Sequence, residues 1–284
     1  MLAGDLYLEH FRLALRPFSL LPDPDFLHWG SGHSSAFAVL EYGLVSRAPI
    51  TVLTGEVGVG KTTLVRKLLE HFDDGATVGL VSNTYGGRAE ILRWVMNAIE
   101  LVPEPGADYV ANYQALQDFL VEEYASGRHV AVIIDEAQNL SFDALEELRM
   151  LTNINSGKDE LLQLVLVGQP ELRSKIQRPD LQQFAQRIAA AYHLSPLSVR
   201  ATHAYVQHRI AHAGGRAEIF APAALDAIAH NSGGIPRLIN KLSEFCLVYG
   251  AIDGIEQITE ATVADVIRDG IFVTGFLEGG KAAE

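Results

Sequence analysis

The 284-residue sequence holds a single cysteine, Cys246, so no disulfide forms within the chain and the fold cannot depend on one. It has no apolar run near the ~18 residues of a membrane-spanning helix. Its opening, MLAGDLYLEHFRL, carries early acids and no apolar leader core, so a secretory signal is excluded and a soluble, cytoplasmic protein is expected. Basic residues are in the minority, 22 Lys and Arg against 35 Asp and Glu. The resulting net charge of −13 argues against a standing basic surface for nucleic acid or anionic lipid, although a local stripe built by several subunits stays open. Repeats and low-complexity tracts are absent. The ten histidines lack metal-ligand spacing; His203, His208 and His212 share one predicted helix, but a zinc site needs further ligands.

What is present is an ordinary globular balance, 48% hydrophobic and 20% charged, with length for one large core or two packed domains. Residues 1–48 form a mixed, proline-containing block that ends in a helical pattern through Ala36, Val39, Leu40 and Leu44. From 49 to 196 short apolar runs alternate with amphipathic ones: PITVLTG, TTLVRKLLEHF, ATVGLVSN, AEILRWVMNAIEL, YQALQDFLVEEYASG, HVAVIIDEA, FDALEELRMLTNI and LLQLVLVGQP. Strands rich in β-branched residues between such helices predict an α/β fold, a parallel sheet covered on both faces. After Pro196 the pattern is helical through 197–272, with Ser198 and Thr259 as N-caps and Gly214 or Gly233 as stops. A tail, 273–284, follows. Cys246, Trp29 and Trp94 are expected in the core, and Glu122, Glu123, Glu146 and Glu147 on solvated helix faces.

Residues 55–62, GEVGVGKT, match G-x-x-x-x-G-K-[ST], preceded by a predicted strand and opening a predicted helix. Glycines at 55, 58 and 60 let successive N–H groups turn inward on a phosphate at a helix N-terminus. The expected cradle is Gly55, Glu56, Val57, Gly58, Val59, Gly60, Lys61, Thr62 and Thr63. Lys61 is expected on the β- and γ-phosphates, and the Thr62 hydroxyl in the shell of Mg²⁺. The run HVAVIIDEAQNL ends a buried strand in two carboxylates about 75 residues later. Asp135 is expected beside the phosphate loop as a metal residue, and Glu136 as the group that orients and polarises the attacking water. Gln169, at the end of LQLVLVG, is the candidate for sensing the γ-phosphate or its water; Asn83 is a candidate for holding Glu136 back. Arg187 and Arg237 are candidate phosphate contacts because a guanidinium fork meets two oxygens at once. Arg187 would act from a neighbouring subunit, Arg237 from the same chain.

Together these motifs resemble the AAA+ ATPases: GEVGVGKT as Walker A, VIIDEAQ as Walker B, VLVGQPEL at the first sensor, QRI at the finger position and GGIPR at the second sensor. More closely, the chain looks like the ATPase of general secretion pathway component A type, including the MSHA pilus-biogenesis and exosortase-associated ATPases. YLEHFRLALRPFSLLPDPDFLHWGSGH, TGEVGVGKTTL, DEAQNLS and LVGQPEL carry that likeness, which runs from about residue 6 to 270. The resemblance implies a P-loop core of the ASCE type with a C-terminal helical lid, and ATP-dependent assembly into a homo-oligomeric ring, a hexamer being one candidate. It also implies adenine held between core and lid near the N-terminal block, and the roles given above for Thr62, Asp135, Glu136, Gln169, Arg187 and Arg237. Relatives often continue into a membrane span and a peptidoglycan-binding region. This chain ends at Glu284 with neither, which favours recruitment to the inner face of the membrane by a membrane-associated partner. The expected function is an assembly or regulatory ATPase of a bacterial envelope system, whether secretion, pilus or exopolysaccharide export. The alternative is a DNA-binding AAA+ regulator of transposition-type target selection, disfavoured by the acidic balance; a third reading is a nucleotide switch with little turnover, motivated by Gln at the sensor.

Overall fold

In the computed structural model, residues 3–20, 26, 28–70, 75–82 and 88–272 are described. Asn83 and the 273–284 tail lie outside them. The chain divides into two compact units, one formed by Ser31–Glu56 and Lys61–Leu194, the other by the described residues of Met1–Gly30, Val57–Gly60 and Ser195–Glu284.

The first unit is a parallel sheet with helices. Its strands are β1 (Ile50–Gly55), β2 (Ala76–Val81), β3 (His129–Ile134), β6 (Leu162–Gly168) and β7 (Ile188–Leu194), in the order β2-β3-β6-β1-β7. A two-residue hairpin, β4 (Asn155–Ser156) and β5 (Asp159–Glu160), precedes β6. Every residue of β1 and β6 is buried, as central strands of a sheet covered on both faces must be. Edge strand β7 instead alternates exposed and half-buried positions over most of its length. The helices are α2 (Ser31–Val45), α3 (Lys61–Leu69), α4 (Arg88–Ala98), α5 (Tyr109–Ala125), α6 (Phe142–Leu151), α7 (Pro170–Ile176) and α8 (Gln182–Gln186). Helix α2 lies flush on β1: a Cβ added to Gly43 would stand 2.0 Å from Thr51 Oγ1, so only glycine permits this approach.

Some residues differ from expectation. Glu123 is buried, receiving hydrogen bonds from Arg128 and Thr77, and Glu147 is buried against the hydroxyl of Tyr109, which donates to it. Each acid points from the inward face of its helix and is satisfied by a donor there, which residue type alone does not reveal. Trp94 is 42% exposed, because Ile91, Leu92, Val95 and Met96 take the inward face of α4. Trp29 is likewise exposed, not a core anchor.

The second unit is helical: α1 (Ala3–Phe11), α9 (Val199–His212), α10 (Pro222–Ser232), α11 (Pro236–Ile252) and α12 (Glu260–Arg268). Leucines, isoleucines and valines of α9–α12 pack with Tyr7, Phe18 and Cys246 into one core. Ser198 caps α9 by accepting the Ala201 N–H, Thr259 and Thr262 form a capping box on α12, and Gly233, at φ +58°, closes α10. The N-terminal stretch is fastened to these helices. Tyr7 donates to Glu244 (2.8 Å), Ala14 N–H to the Ala213 carbonyl (2.8 Å), and Arg209 to the Pro17 carbonyl.

Candidate nucleotide site

Strand β1 ends at Gly55 and α3 begins at Lys61, so the intervening loop must reverse into a helix N-terminus within five residues. It does so through Gly58 (φ +82°) and Gly60 (φ +106°), conformations that L side chains rarely adopt. Val59 is fully buried and pins the loop, while Glu56 and Val57 face solvent. The Lys61 ammonium is nearly buried and donates to the carbonyls of Gly55 (2.7 Å) and Glu56 (2.9 Å). Burial pulls its pKa below the ordinary lysine value, against the opposing pull of Glu136, Asp135 and Glu56. Thr62 and Thr63 stand half-buried in the first turn of α3, where the dipole and free amides favour an anion.

Asp135 follows directly on β3, its N–H still donating to the Val81 carbonyl of β2 (2.9 Å). Because β6 lies between β1 and β3, this carboxylate stands at the carboxyl edge of the sheet with the loop. The Thr62 hydroxyl donates to Asp135 Oδ2 (3.1 Å), and the Glu136 N–H to Oδ1 (2.9 Å). Burial raises the Asp135 pKa above the usual carboxylate value, partly offset by these hydrogen bonds. Thr62 and Asp135 thus join two distant segments into a pair of hard oxygen donors, the kind Mg²⁺ takes alongside phosphate and water.

Glu136 has φ +53°, an uncommon conformation for a non-glycine residue, and turns the chain into a single helical turn, Ala137–Asn139. Its Oε2 accepts from Gln138 Nε2 (2.6 Å) and Gln169 Nε2 (3.2 Å). Gln169 follows β6 and also donates its backbone N–H to Gln138 Oε1 (3.0 Å). Lys175 caps the turn, donating to the carbonyls of Gln138 and Leu140 (both 2.6 Å). Lys61, Thr62, Asp135, Glu136 and Gln169 therefore converge in one unit. Gln138 and Lys175 were not singled out from the sequence; the run DEAQ offered the only signal for the first.

The two arginines stand differently. Arg187 directly precedes β7, whose register with β1 (Ile50↔Ile188, Gly55↔Leu194) puts it at the amino edge of the sheet. A six-residue strand, roughly 20 Å at ~3.3 Å per residue, separates that edge from the loop. Its guanidinium donates to Glu160 Oε1 (2.6 Å), the Thr152 carbonyl (3.4 Å) and Asn153. Arg237, in the first turn of α11, is exposed, and its backbone N–H donates to the Gly58 carbonyl (3.1 Å) inside the second unit. A Cβ on Gly58 would stand 2.7 Å from Arg237 Cβ, so the loop glycine is required by both backbone and packing.

The parallel sheet, its strand order and the glycine loop at the head of a helix define the fold class, which is that of the AAA+ P-loop proteins. Residues 45–176 match the family described as AAA domain. Over 259 residues the chain is 38% identical to General secretion pathway protein A of Aeromonas hydrophila, covering 91% of this chain and 47% of that protein. The likeness to the component A type thus extends over nearly the whole chain, which spans about half the length of this curated relative. Among solved structures, the Aeropyrum pernix ORC2 protein (ADPNP-ADP complexes) is similar with TM-score 0.62 at 21% identity, covering 94% of this chain and 72% of that one. Cdc6p from Pyrobaculum aerophilum is similar with TM-score 0.66 at 18% identity, covering 86% and 68%. These two likenesses concern the fold.

Proposed function

We propose that the chain binds ATP with Mg²⁺ in the loop Gly55–Thr63 and hydrolyses it, as an assembly or regulatory ATPase of a bacterial envelope system. The observation that carries the reading is the Thr62–Asp135 hydrogen bond, with Glu136 next in sequence held by Gln169. Inward amides of the loop and the Lys61 ammonium bind the β- and γ-phosphates; Lys61 then exchanges the Gly55 and Glu56 carbonyls for phosphate oxygens. Bound Mg²⁺, held by Thr62 and Asp135, supplies neutralisation of the charge on the phosphate oxygens. Glu136 orients the attacking water and accepts its proton, and Gln169 senses the γ-phosphate through the same carboxylate.

Within one chain Arg187 sits a strand's length from this loop, which favours a trans role in a homo-oligomeric ring. To act there it must exchange Glu160 and Asn153 for phosphate oxygens. Arg237, in the helical region 197–272, acts as a phosphate contact from the same chain, a role favoured by its backbone bond to Gly58 of the loop. The envelope assignment rests on the relative's name, General secretion pathway protein A. It carries with it a cytoplasmic location, with recruitment to the membrane by a partner; no helix among the described residues is long and apolar enough to cross a membrane.

Phosphate release measured with wild type and Glu136→Gln tests the reading. Steady release from the wild type, lost in a variant that still retains ATP, supports it. A wild type that binds ATP but releases no phosphate makes the chain a nucleotide switch and overturns it.

A further inference from the structure

Gln138 closes the run VIIDEAQ two residues after Glu136, without a role marked by the sequence, yet its side chain stands between Glu136 and Gln169. One end of its amide faces the backbone N–H of Gln169 (3.0 Å) and the other faces Glu136 Oε2 (2.6 Å). This orientation is not arbitrary. A backbone N–H can only donate, so the amide atom facing it is oxygen, and the nitrogen is left to donate to the carboxylate. The amide is also held from behind. Lys175 fixes the Gln138 backbone through its carbonyl (2.6 Å), and a Cβ added at Gly168 would come within 3.0 Å of Oε1. The carboxylate it meets belongs to a residue at φ +53°, where a non-glycine backbone needs support from its surroundings.

We infer that Gln138 is a positioning residue for Glu136: it ties the carboxylate to the backbone at the end of β6, so that a displacement of Gln169 on meeting a γ-phosphate reorients Glu136. The inference rests on the ATPase reading above. Gln169 grips the same Oε2 directly with its own Nε2 (3.2 Å), which makes three groups, Glu136, Gln138 and Gln169, into a closed triangle of hydrogen bonds. Side-chain amides suit this work because they donate and accept at once. A carboxylate at position 138 has nothing to donate to Glu136 and places like charge beside it.

The test is steady-state and single-turnover hydrolysis by Gln138→Met, which keeps the volume and removes both hydrogen bonds, and by Gln138→Glu. The expected result is a fall in kcat of about 10-fold or more in each, with KM for ATP within about 2-fold of wild type. In single-turnover measurement, Gln138→Met added to Glu136→Gln is expected to slow the residual rate by less than about 2-fold, because the partner it positions is already gone. A kcat equal to wild type, a KM that rises in step with the loss of rate, or full additivity in the double variant would each overturn the assignment while leaving the ATPase reading intact. A wild type without turnover overturns that reading instead, and Gln138 with it.

Discussion

Replacing Gly43 by alanine isolates how closely α2 must approach the strand that carries the phosphate loop. Alanine within a helix gains about 1 kcal/mol over glycine from backbone entropy. Against this, the new methyl would stand 2.0 Å from Thr51 Oγ1, 3.0 Å from Thr51 Cβ and 3.1 Å from its Cγ2, and Thr51 is itself buried in β1. Van der Waals contact needs about 3.5 Å or more, so α2 or β1 must shift, and overpacking of this kind costs about 1–3 kcal/mol or more. Because the nearest atom is a rigid β-branched side chain on a central strand, the upper end applies. The net expectation is a loss of about 2 kcal/mol, or roughly 4–8 °C in melting temperature for a chain of this size. Thr51→Ala removes the two atoms at 2.0 and 3.1 Å, so in the Gly43→Ala background it should restore much of the loss, with a coupling of about 1–2 kcal/mol. Differential scanning calorimetry on the wild type, both singles and the double supplies the cycle. A Gly43→Ala protein as stable as wild type, or strict additivity in the double, would refute the close approach.

Lys61→Ala should weaken ATP binding by about 100-fold or more, read by titration calorimetry; retained wild-type affinity would overturn the cradle. Arg187→Ala should spare binding yet lower hydrolysis by about 10-fold or more, with the rate per subunit rising with concentration in the wild type only. A concentration-independent wild-type rate would sink the trans role. Burial raises the Cys246 thiol from 9.0 to about 12, so native protein at about pH 8 should resist a thiol reagent that labels the denatured chain at once. The sign is that of a raised group: its contribution to stability is whole below about pH 9 and falls as pH climbs toward 12, where the folded thiol ionises at last. The Arg128 hydrogen bond is the leading cause that holds the Glu123 carboxyl below its ordinary 4.5, so its contribution is present above that value and is lost as pH falls through the lowered one. Arg128→Met should therefore destabilise at about pH 7 and change little at about pH 2; equal effects at both would contradict the pairing.

The central strands were legible because burial on both faces demands the near-continuous apolar runs ITVLTG, HVAVII and LQLVLVG. The loop was legible because a phosphate cradle needs glycine at fixed spacing, and Gly58 and Gly60 do take positive φ. Local spacing does not reveal which polar side chains turn inward. Glu123 and Glu147 read as solvated acids until Arg128 and Tyr109 are seen opposite them, since those pairings form only when the helices pack. Gln138 escaped for a similar reason: its importance comes from Gln169, 31 residues away, whose backbone N–H fixes the amide. The tether of Arg187 to Glu160 equally depends on the small hairpin before β6, too short to leave a periodic signal.

A crystal structure grown with a non-hydrolysable ATP analogue and Mg²⁺ tests the central claim most directly. The account expects the triphosphate inside the Gly55–Thr63 loop, Lys61 Nζ moved from the Gly55 and Glu56 carbonyls onto phosphate oxygen, and the metal beside Thr62 and Asp135. An analogue bound elsewhere, or a metal held away from Thr62 and Asp135, would contradict it.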